Sequence, residues 1–136
     1  EKPMVEINAY SKTKDGGKKL SANFTVKEFA CKDGSDAVLT APRLVMVLQS
    51  IRSHFAAPVV IHSAYRTPQY NAKVGGAAHS QHCYGTAADI SVRGQTPAAV
   101  AAYARQLMPD WGGVGVYAGQ GFTHVDVRET RSDWTG

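Results

Sequence analysis

The sequence predicts a single α+β domain with a central, mainly antiparallel sheet flanked by helices. Three observations support this class. Amphipathic helices are predicted both early and late in the chain, most candidate strands fall in its second half, and the last two strands flank a short turn that indicates a hairpin. Because helices and strands do not alternate regularly, the pattern disfavours a βαβ array. A chain of 136 residues suits one domain with one hydrophobic core.

The N-terminal part predicts only short elements. Residues 4–10 alternate weakly between apolar and polar side chains, which indicates an edge strand. KDGGKK, residues 14–19, predicts a turn because its Asp-Gly and Gly-Gly pairs permit positive φ. Residues 21–30 predict a short helix with Asn23 or Thr25 near its N-terminal cap.

A polar loop at residues 31–36 precedes the clearest helix of the sequence. Thr40 is a candidate N-cap, and Pro42 falls in the first turn, where its missing N–H does no harm. Five apolar residues follow at helical spacing and predict one buried stripe: Leu44, Val47, Leu48, Ile51 and Phe55.

The remaining elements are a buried strand at 58–65, a short helix at 67–76, a strand at 86–92, a helix at 96–108 and two strands at 113–118 and 121–128. The strand at 58–65 is predicted from a β-branched run after a proline, and the short helix is predicted to end at glycines. The long helix begins with Thr96 as a cap and Pro97 in its first turn.

Composition excludes some classes of function. The net charge is +4 and the pI is about 9.2, a mild positive field that suits a polyanion such as bacterial cell wall. No aromatic residues interleave with the basic ones to form a stacking platform, so nucleic acid ranks last among the partners. No apolar run approaches the roughly 18 residues of a membrane span, and no signal-peptide pattern is recognisable at the start.

The two cysteines, Cys31 and Cys83, are too few for a four-thiolate metal site and form no CxxC motif. They could pair as one disulfide if the protein works outside the cytoplasm. The sequence leaves that pairing open.

Two of the five histidines have a carboxylate at a suggestive spacing. His82 precedes Asp89 by seven residues, and Gly85 between them allows the loop to turn into a strand. A carboxylate at the start of an apolar strand is costly unless it is paired or bound to a cation. On the late strand His124 and Asp126 alternate, so they point to the same face. The other three histidines have simpler explanations, as a helix surface, a strand core and a flexible loop: His54, His62 and His79.

Together His82, Asp89 and His124 offer three ligands and an open fourth position, the arrangement of a catalytic zinc site. Such a site turns water into a nucleophile near neutral pH. Cys83 is a poor further ligand because adjacent side chains usually diverge. A cysteine protease would also need a base and an oxyanion site that the sequence does not identify.

Three segments carry a resemblance to a known family: SAYRTPQYN (63–71), GGAAHSQHCYGTAADI (75–90) and GVGVYAGQGFTHVDVR (113–128). In this order they resemble the zinc D-alanyl-D-alanine carboxypeptidase family, which belongs to a wider group with lysostaphin-type peptidases and the hedgehog signalling domain. The combination SxYR…N…SxHxxGxAxD…HxD is specific. The resemblance implies a hedgehog- or DD-peptidase-like core over residues 23–134, with residues 1–22 as an N-terminal extension or edge hairpin.

The resemblance also implies roles for individual residues. SxHxxGxAxD supplies two zinc ligands in the family, matching His82 and Asp89, and the late histidine supplies the third, matching His124; one Zn²⁺ is implied. Arg66, from SxYR, is implied to bind substrate and stabilise the oxyanion, which suits a rigid bidentate donor. Ser80 matches a serine near the terminal carboxylate of the substrate.

The sequence departs from several relatives at the general base. Some carry an acidic residue three positions before the last histidine, where this chain has Gly121, and some a histidine two before it, where this chain has Phe122. The nearest carboxylate is Asp126, which we expect to act as the base. The alternative is a carboxylate that orients His124 or pairs with Arg128. Two further candidates lie in the polar loop: Asp33 and Asp36.

The expected activity is zinc-dependent hydrolysis of a peptide bond in the stem peptide of bacterial peptidoglycan, of the D-Ala-D-Ala carboxypeptidase type. One alternative is a peptidoglycan endopeptidase of the phage endolysin type. Another, motivated by the missing acid at position 121, is a non-catalytic, zinc-stabilised module that binds cell wall or protein. We expect a monomer acting outside the cytoplasm, in periplasm or cell wall or after secretion, or as a phage-encoded lysin.

Overall fold

The computed structural model describes residues 5–136 of the protein, so the first residue of the strand predicted at 4–10 lies outside the described range. The elements are, in chain order, β1 (Asn8–Ser11), α1 (Lys12–Asp15), β2 (Lys19–Ser21), β3 (Phe24–Thr25), β4 (Ala37–Thr40), α2 (Pro42–Phe55), β5 (Val59–Ser63), α3 (Pro68–Lys73), β6 (Ala87–Val92), α4 (Pro97–Leu107), β7 (Gly113–Tyr117), β8 (Phe122–Asp126) and β9 (Ser132–Thr135). Two 3₁₀ helices complete the list: Val26–Phe29 and Gln81–Tyr84.

The centre of the domain is a five-stranded sheet in the order β5-β6-β8-β7-β9. Its first three pairings are antiparallel, and only β9 lies parallel to its neighbour β7. The predicted α+β class, with one domain and a mainly antiparallel sheet, is confirmed. In the described range, no helix is long and apolar enough to cross a membrane.

The two faces of this sheet differ because side chains alternate along each strand. One face carries Ile90, Val114 and Val125, all buried, and packs against α2 and α4. The predicted stripe of α2 faces this core, and Leu48 and Ile51 are fully buried there. The opposite face carries the polar residues of the candidate site.

The helix starts follow the predicted chemistry in α4 but not in α2. The Thr96 hydroxyl accepts a hydrogen bond from the backbone N–H of Ala99, at 3.1 Å, as an N-cap does. The cap predicted at Thr40 is wrong, because Thr40 is the last residue of β4 and pairs with Asn8 of β1. Ala41 precedes α2 and makes no side-chain cap.

The N-terminal elements are shorter than predicted. The helix expected at 21–30 is a β2–β3 pair followed by the 3₁₀ helix Val26–Phe29. Its predicted cap at Thr25 is present, as a reciprocal capping box with Glu28. In the described range β1 pairs with β4, a partner that the sequence did not predict.

The strand predicted as buried at 58–65 is an edge strand. Ile61 faces the core, whereas Val60 is 52% exposed. His62 is exposed as well, so its predicted core position is wrong; its ring Nε2 lies 2.8 Å from the Ser91 hydroxyl. A β-branched run therefore predicts the strand but not its place in the sheet.

We expect Gly85→Ala to destabilise the fold more than Gly94→Ala. Both glycines have left-handed φ, of 77° and 80°, so each alanine adds a strain of about 1–2 kcal/mol. A Cβ at Gly85 would also lie 2.6 Å from the carbonyl of Leu39, whereas Gly94 faces open space. Urea unfolding should give an additional loss of at least about 1 kcal/mol for Gly85→Ala. Equal losses would show that Leu39 yields without cost.

Candidate metal centre

The candidate site is built on one row of residues that crosses all five strands. Ser63 of β5 pairs with Asp89 of β6, and Asp89 pairs with His124 of β8. His124 pairs in turn with Gly115 of β7, which pairs with Trp134 of β9. Directly paired residues project to the same face of a sheet, so the row places a carboxylate and an imidazole side by side.

The fold brings His82, Asp89 and His124 together, although 35 residues separate the last two. One ligand atom of each lies within 4.8 Å of the other two. The Asp89 Oδ1 atom is 3.3 Å from Nε2 of His82 and 2.9 Å from Nδ1 of His124. All three side chains are buried.

The 3₁₀ helix Gln81–Tyr84 delivers His82 to the cluster. Ser80 caps this helix, its hydroxyl accepting a hydrogen bond from the backbone N–H of His82 at 3.1 Å. The Nδ1 of His82 is 2.7 Å from the carbonyl of Ala64, so this nitrogen carries the hydrogen and donates it. The other ring nitrogen of His82, Nε2, therefore faces Asp89.

His124 is oriented from behind by a buried carboxylate. Its Nε2 lies 2.8 Å from Oδ2 of Asp126, which leaves Nδ1 toward Asp89. Asp126 has no exposed surface. It also accepts hydrogen bonds from the Arg128 guanidinium, at 2.6 and 2.8 Å, and from the backbone N–H of Gly113 at 3.0 Å.

This geometry does not support the role of general base predicted for Asp126. A base must reach the water that it deprotonates, and Asp126 contacts protein on every side behind the His124 ring. The alternative, a carboxylate that orients His124 and pairs with Arg128, matches the contacts. HxD spacing places both residues on one strand face but does not say which of them reaches the cavity.

Charge is balanced tightly around the cluster. Burial would raise the pKa of Asp89, but hydrogen bonds from His124 and His82 hold it well below its usual range. Burial also raises the pKa of Asp126. The contacts with His124 and Arg128 outweigh this effect, so the pKa of Asp126 is lowered as well. Burial lowers the pKa of His124, but the hydrogen bonds and charges of Asp126 and Asp89 raise it, and the net shift is upward.

Arg66 stands beside the cluster and is held by three side chains. Its Nε donates to the Ser63 hydroxyl at 3.1 Å and its Nη1 to Oδ1 of Asn71 at 3.1 Å. Its Nη2 lies 3.5 Å from Oδ2 of Asp89, a long contact that leaves this edge of the guanidinium available. Asn71 is buried and also donates to the carbonyl of Ala77 at 2.7 Å. Asn71 was not assigned a role by sequence, although it is the asparagine of the quoted motif.

The cluster opens into a cavity of about 640 Å³. Arg66 and Ser80 lie on one side of it, and Asp89 is the single acidic residue among its described lining residues. The other side is an aromatic wall, defined as Tyr117, Phe122 and Trp134. Sequence reasoning missed this wall because the short polar segment that forms β9 gave no strand signal.

The other candidate bases lie elsewhere. Asp33 binds the backbone N–H of Ser35 and the hydroxyl of Thr67, and Asp36 binds Ser11 and Thr13. Neither aspartate lines the cavity.

The remaining histidines and cysteines stay outside the cluster. His54 is exposed and stacks on Tyr103 at 3.7 Å, and His79 is an exposed residue of the cavity rim. Cys31 and Cys83 are both free thiols. Cys83 does not belong to the ligand group.

The donor set fits one zinc ion. Two imidazole nitrogens and one carboxylate oxygen are ligands that zinc accepts at about 2.0–2.2 Å in catalytic sites with an open position. The hydrogen-bonded tautomer of His82 and the carboxylate behind His124 are the supports that such ligands ordinarily have. His82, Asp89 and His124 could therefore hold one metal ion.

Comparison with protein families gives a match over most of the chain. The model of a family described as Peptidase M15 matches residues 19–126. Comparison with curated proteins gave no match. The matched range contains the whole His82–Asp89–His124 cluster, whereas Arg128 and Trp134 lie beyond it.

We expect Asp126→Asn to weaken zinc binding. In either orientation the amide NH₂ would face a donor of Arg128 together with the Gly113 N–H or with Nε2 of His124, so the support behind the His124 ring would weaken. A loss of about 10- to 100-fold in zinc affinity follows, measured by competition with a chromogenic chelator. Asp133→Asn, at a half-exposed position of β9, is the matched control and should bind zinc normally. Unchanged zinc affinity with lost turnover would instead restore Asp126 as the base.

Proposed function

Because the chain belongs to the peptidase M15 family, we propose that it hydrolyses a peptide bond in the stem peptide of bacterial peptidoglycan, with one Zn²⁺ held by His82, Asp89 and His124. The observation that carries this proposal is the buried cluster of those three residues at the floor of an open cavity. The family supports a peptide as substrate. The D-Ala-D-Ala carboxypeptidase is the form of the activity that we propose first.

The chemistry divides between the ion and the protein. When bound, zinc supplies Lewis acidity, which polarises the scissile carbonyl and makes water nucleophilic near neutral pH. Asp126 keeps the His124 ring in one orientation, and the Ala64 carbonyl does the same for His82. These supports remove the need to reorganise the ligands during the reaction.

Arg66 supplies the cationic group beside the ligands. It is preorganised by Ser63 and Asn71, and its Nη2 edge is available to donate a hydrogen bond to an anionic oxygen. A guanidinium binds a carboxylate with two parallel hydrogen bonds, so Arg66 is suited to the terminal carboxylate of a stem peptide. Ser80 lines the same cavity, and we propose that it contacts that end of the substrate.

Two alternatives to the carboxypeptidase activity are each supported by a specific observation. A cavity of about 640 Å³ also accommodates an internal segment of the stem peptide, as an endopeptidase or endolysin would require. Among the described lining residues, no carboxylate other than Asp89 is available as a base, and His79 is the remaining imidazole. That favours a non-catalytic zinc module as the second class.

We propose that the protein acts as a monomer and outside the cytoplasm, where its substrate is found.

The activity is tested on purified peptidoglycan and on soluble muropeptides. We expect the zinc-loaded protein to release D-alanine, identified by mass spectrometry, and His82→Ala to release none. His62→Ala, at an exposed position outside the ligand group and the cavity lining, is the matched control and should be fully active. New internal peptide ends without free D-alanine would establish the endopeptidase. Stoichiometric zinc without any cleavage would establish the non-catalytic module.

We expect Arg66→Lys to lose selectivity for a free carboxylate, because an ammonium group cannot reproduce the bidentate contact. The ratio of kcat/KM for a D-Ala-D-Ala peptide to that for its C-terminal amide should fall at least about tenfold. The two substrates differ only at the group that Arg66 would bind. A variant that slows both substrates equally would show that Arg66 acts on the scissile carbonyl alone.

A further inference from the structure

The aromatic wall contains a hydroxyl group that the proposed chemistry has not used. Tyr117 is the last residue of β7 and pairs with Phe122 of β8. It lies two residues after Gly115, the partner of His124, so Tyr117 projects from the same face of the sheet as that ligand. It lines the cavity into which the cluster opens.

The Tyr117 ring is held in place on both sides. It stacks on Phe122 with centroids 4.5 Å apart and planes 11° from parallel. The backbone of Gly136 packs against it so closely that a Cβ at this glycine would collide with the ring. The hydroxyl therefore occupies a defined position.

A hydrogen bond from Trp134 decides where the hydroxyl proton points. Trp134 Nε1 lies 2.8 Å from the Tyr117 oxygen. An indole N–H can only donate, so the Tyr117 oxygen is the acceptor and its own hydrogen must point elsewhere. Trp134 is the only hydrogen-bond partner of this hydroxyl among the described residues. The hydroxyl is therefore free to donate to a molecule in the cavity.

The position of Trp134 is itself built into the sheet. A Cβ on Gly115 would lie 2.5 Å from the indole nitrogen, so only glycine leaves room for the ring there. The indole also lies beside His124, with centroids 5.0 Å apart, and beneath the Arg128 guanidinium at 5.2 Å. The wall is thus packed directly against a residue of the candidate metal centre.

Arg66 and Tyr117 approach the cavity from opposite sides of His124. Arg66 is anchored on the β5 and β6 side through Ser63 and Asp89, whereas Tyr117 belongs to β7. Strand β8, which carries His124, lies between them in the sheet. A peptide lying over the cluster would therefore meet a cation on one side and a neutral donor on the other.

We propose that Tyr117 is a catalytic residue, whose hydroxyl donates a hydrogen bond to the carbonyl oxygen of the peptide group that is hydrolysed. This rests on the proposed peptidase activity. The hydrogen stays on the tyrosine oxygen throughout, and no bond to it forms or breaks. The hydrogen bond strengthens as negative charge builds on the carbonyl oxygen, so it acts mainly in the transition state.

Two variants separate this role from a structural one. Tyr117→Phe and Trp134→Phe both delete the hydrogen bond between the two residues, but only Tyr117→Phe deletes the hydroxyl. We expect Tyr117→Phe to lower kcat by about 10²- to 10³-fold, with little change in KM, zinc content or shape of the pH profile. Trp134→Phe should lower kcat much less. Tyr103→Phe, on α4 and outside the cavity, is the control and should match the parent.

A binding measurement makes the test independent of turnover. The probe is a phosphinate analogue of D-Ala-D-Ala, whose anionic oxygens resemble the charged transition state, titrated calorimetrically into the zinc-loaded protein. Tyr117→Phe should weaken its binding at least about tenfold, and Trp134→Phe less than that.

Three results would overturn the proposal: a kcat for Tyr117→Phe within twofold of the parent, equal losses in the two variants, or equal phosphinate affinity in Tyr117→Phe and the parent. If the parent protein cleaves peptides and Tyr117→Phe matches it, the Tyr117 proposal fails alone; if the parent cleaves no peptide, the peptidase proposal fails and the catalytic role of Tyr117 fails with it.

Discussion

The burial of one carboxylate, Asp89, is the constraint on which the rest of the site depends. A buried charge in an apolar strand is strongly unfavourable unless its environment compensates it. Here His82, His124 and Arg66 surround it, each at 3.5 Å or less. Each of these residues comes from a different part of the chain. Satisfying Asp89 therefore requires the 3₁₀ helix at residues 81–84, strand β8 and the segment after β5 to meet at one point.

Glycines on β7 make the second half of this arrangement possible. Gly113 lies opposite Asp126, and a Cβ there would collide with that carboxylate; Gly115 provides space for Trp134 in the same way. At these two positions the strand contributes no side-chain volume to the site face. It contributes room instead, first for the carboxylate that orients His124 and then for the aromatic wall. Between these two glycines Val114 faces the core. Because side chains alternate along a strand, β7 packs against the core on one face and leaves space for the site on the other.

The predictions that succeeded are those that depend on local sequence. Periodicity predicts the apolar faces of α2 and α4 and the β7–β8 hairpin, because each follows from local spacing and turn chemistry. It did not predict β4 or β9, which are short and are held by partners distant in sequence. The same limit affected Asp126. Its spacing to His124 predicts a shared strand face, and its pairing with Arg128 is local, but its contact with the backbone N–H of Gly113 comes from the neighbouring strand.

The sequence by itself determined the α+β class, the strands that carry the candidate ligands and the identities of His82, Asp89 and His124, because these depend on local patterns and on a specific ordered motif. The tertiary structure alone decided how those residues are used. The direction of each imidazole is set by its outer hydrogen bond, to Ala64 for one ring and to Asp126 for the other. The composition of the cavity is set by strand order, which places the aromatic wall on the side opposite Arg66. The hydrogen bond between His82 and Ala64 and the strand neighbours join residues far apart in the chain, so no local pattern specifies them.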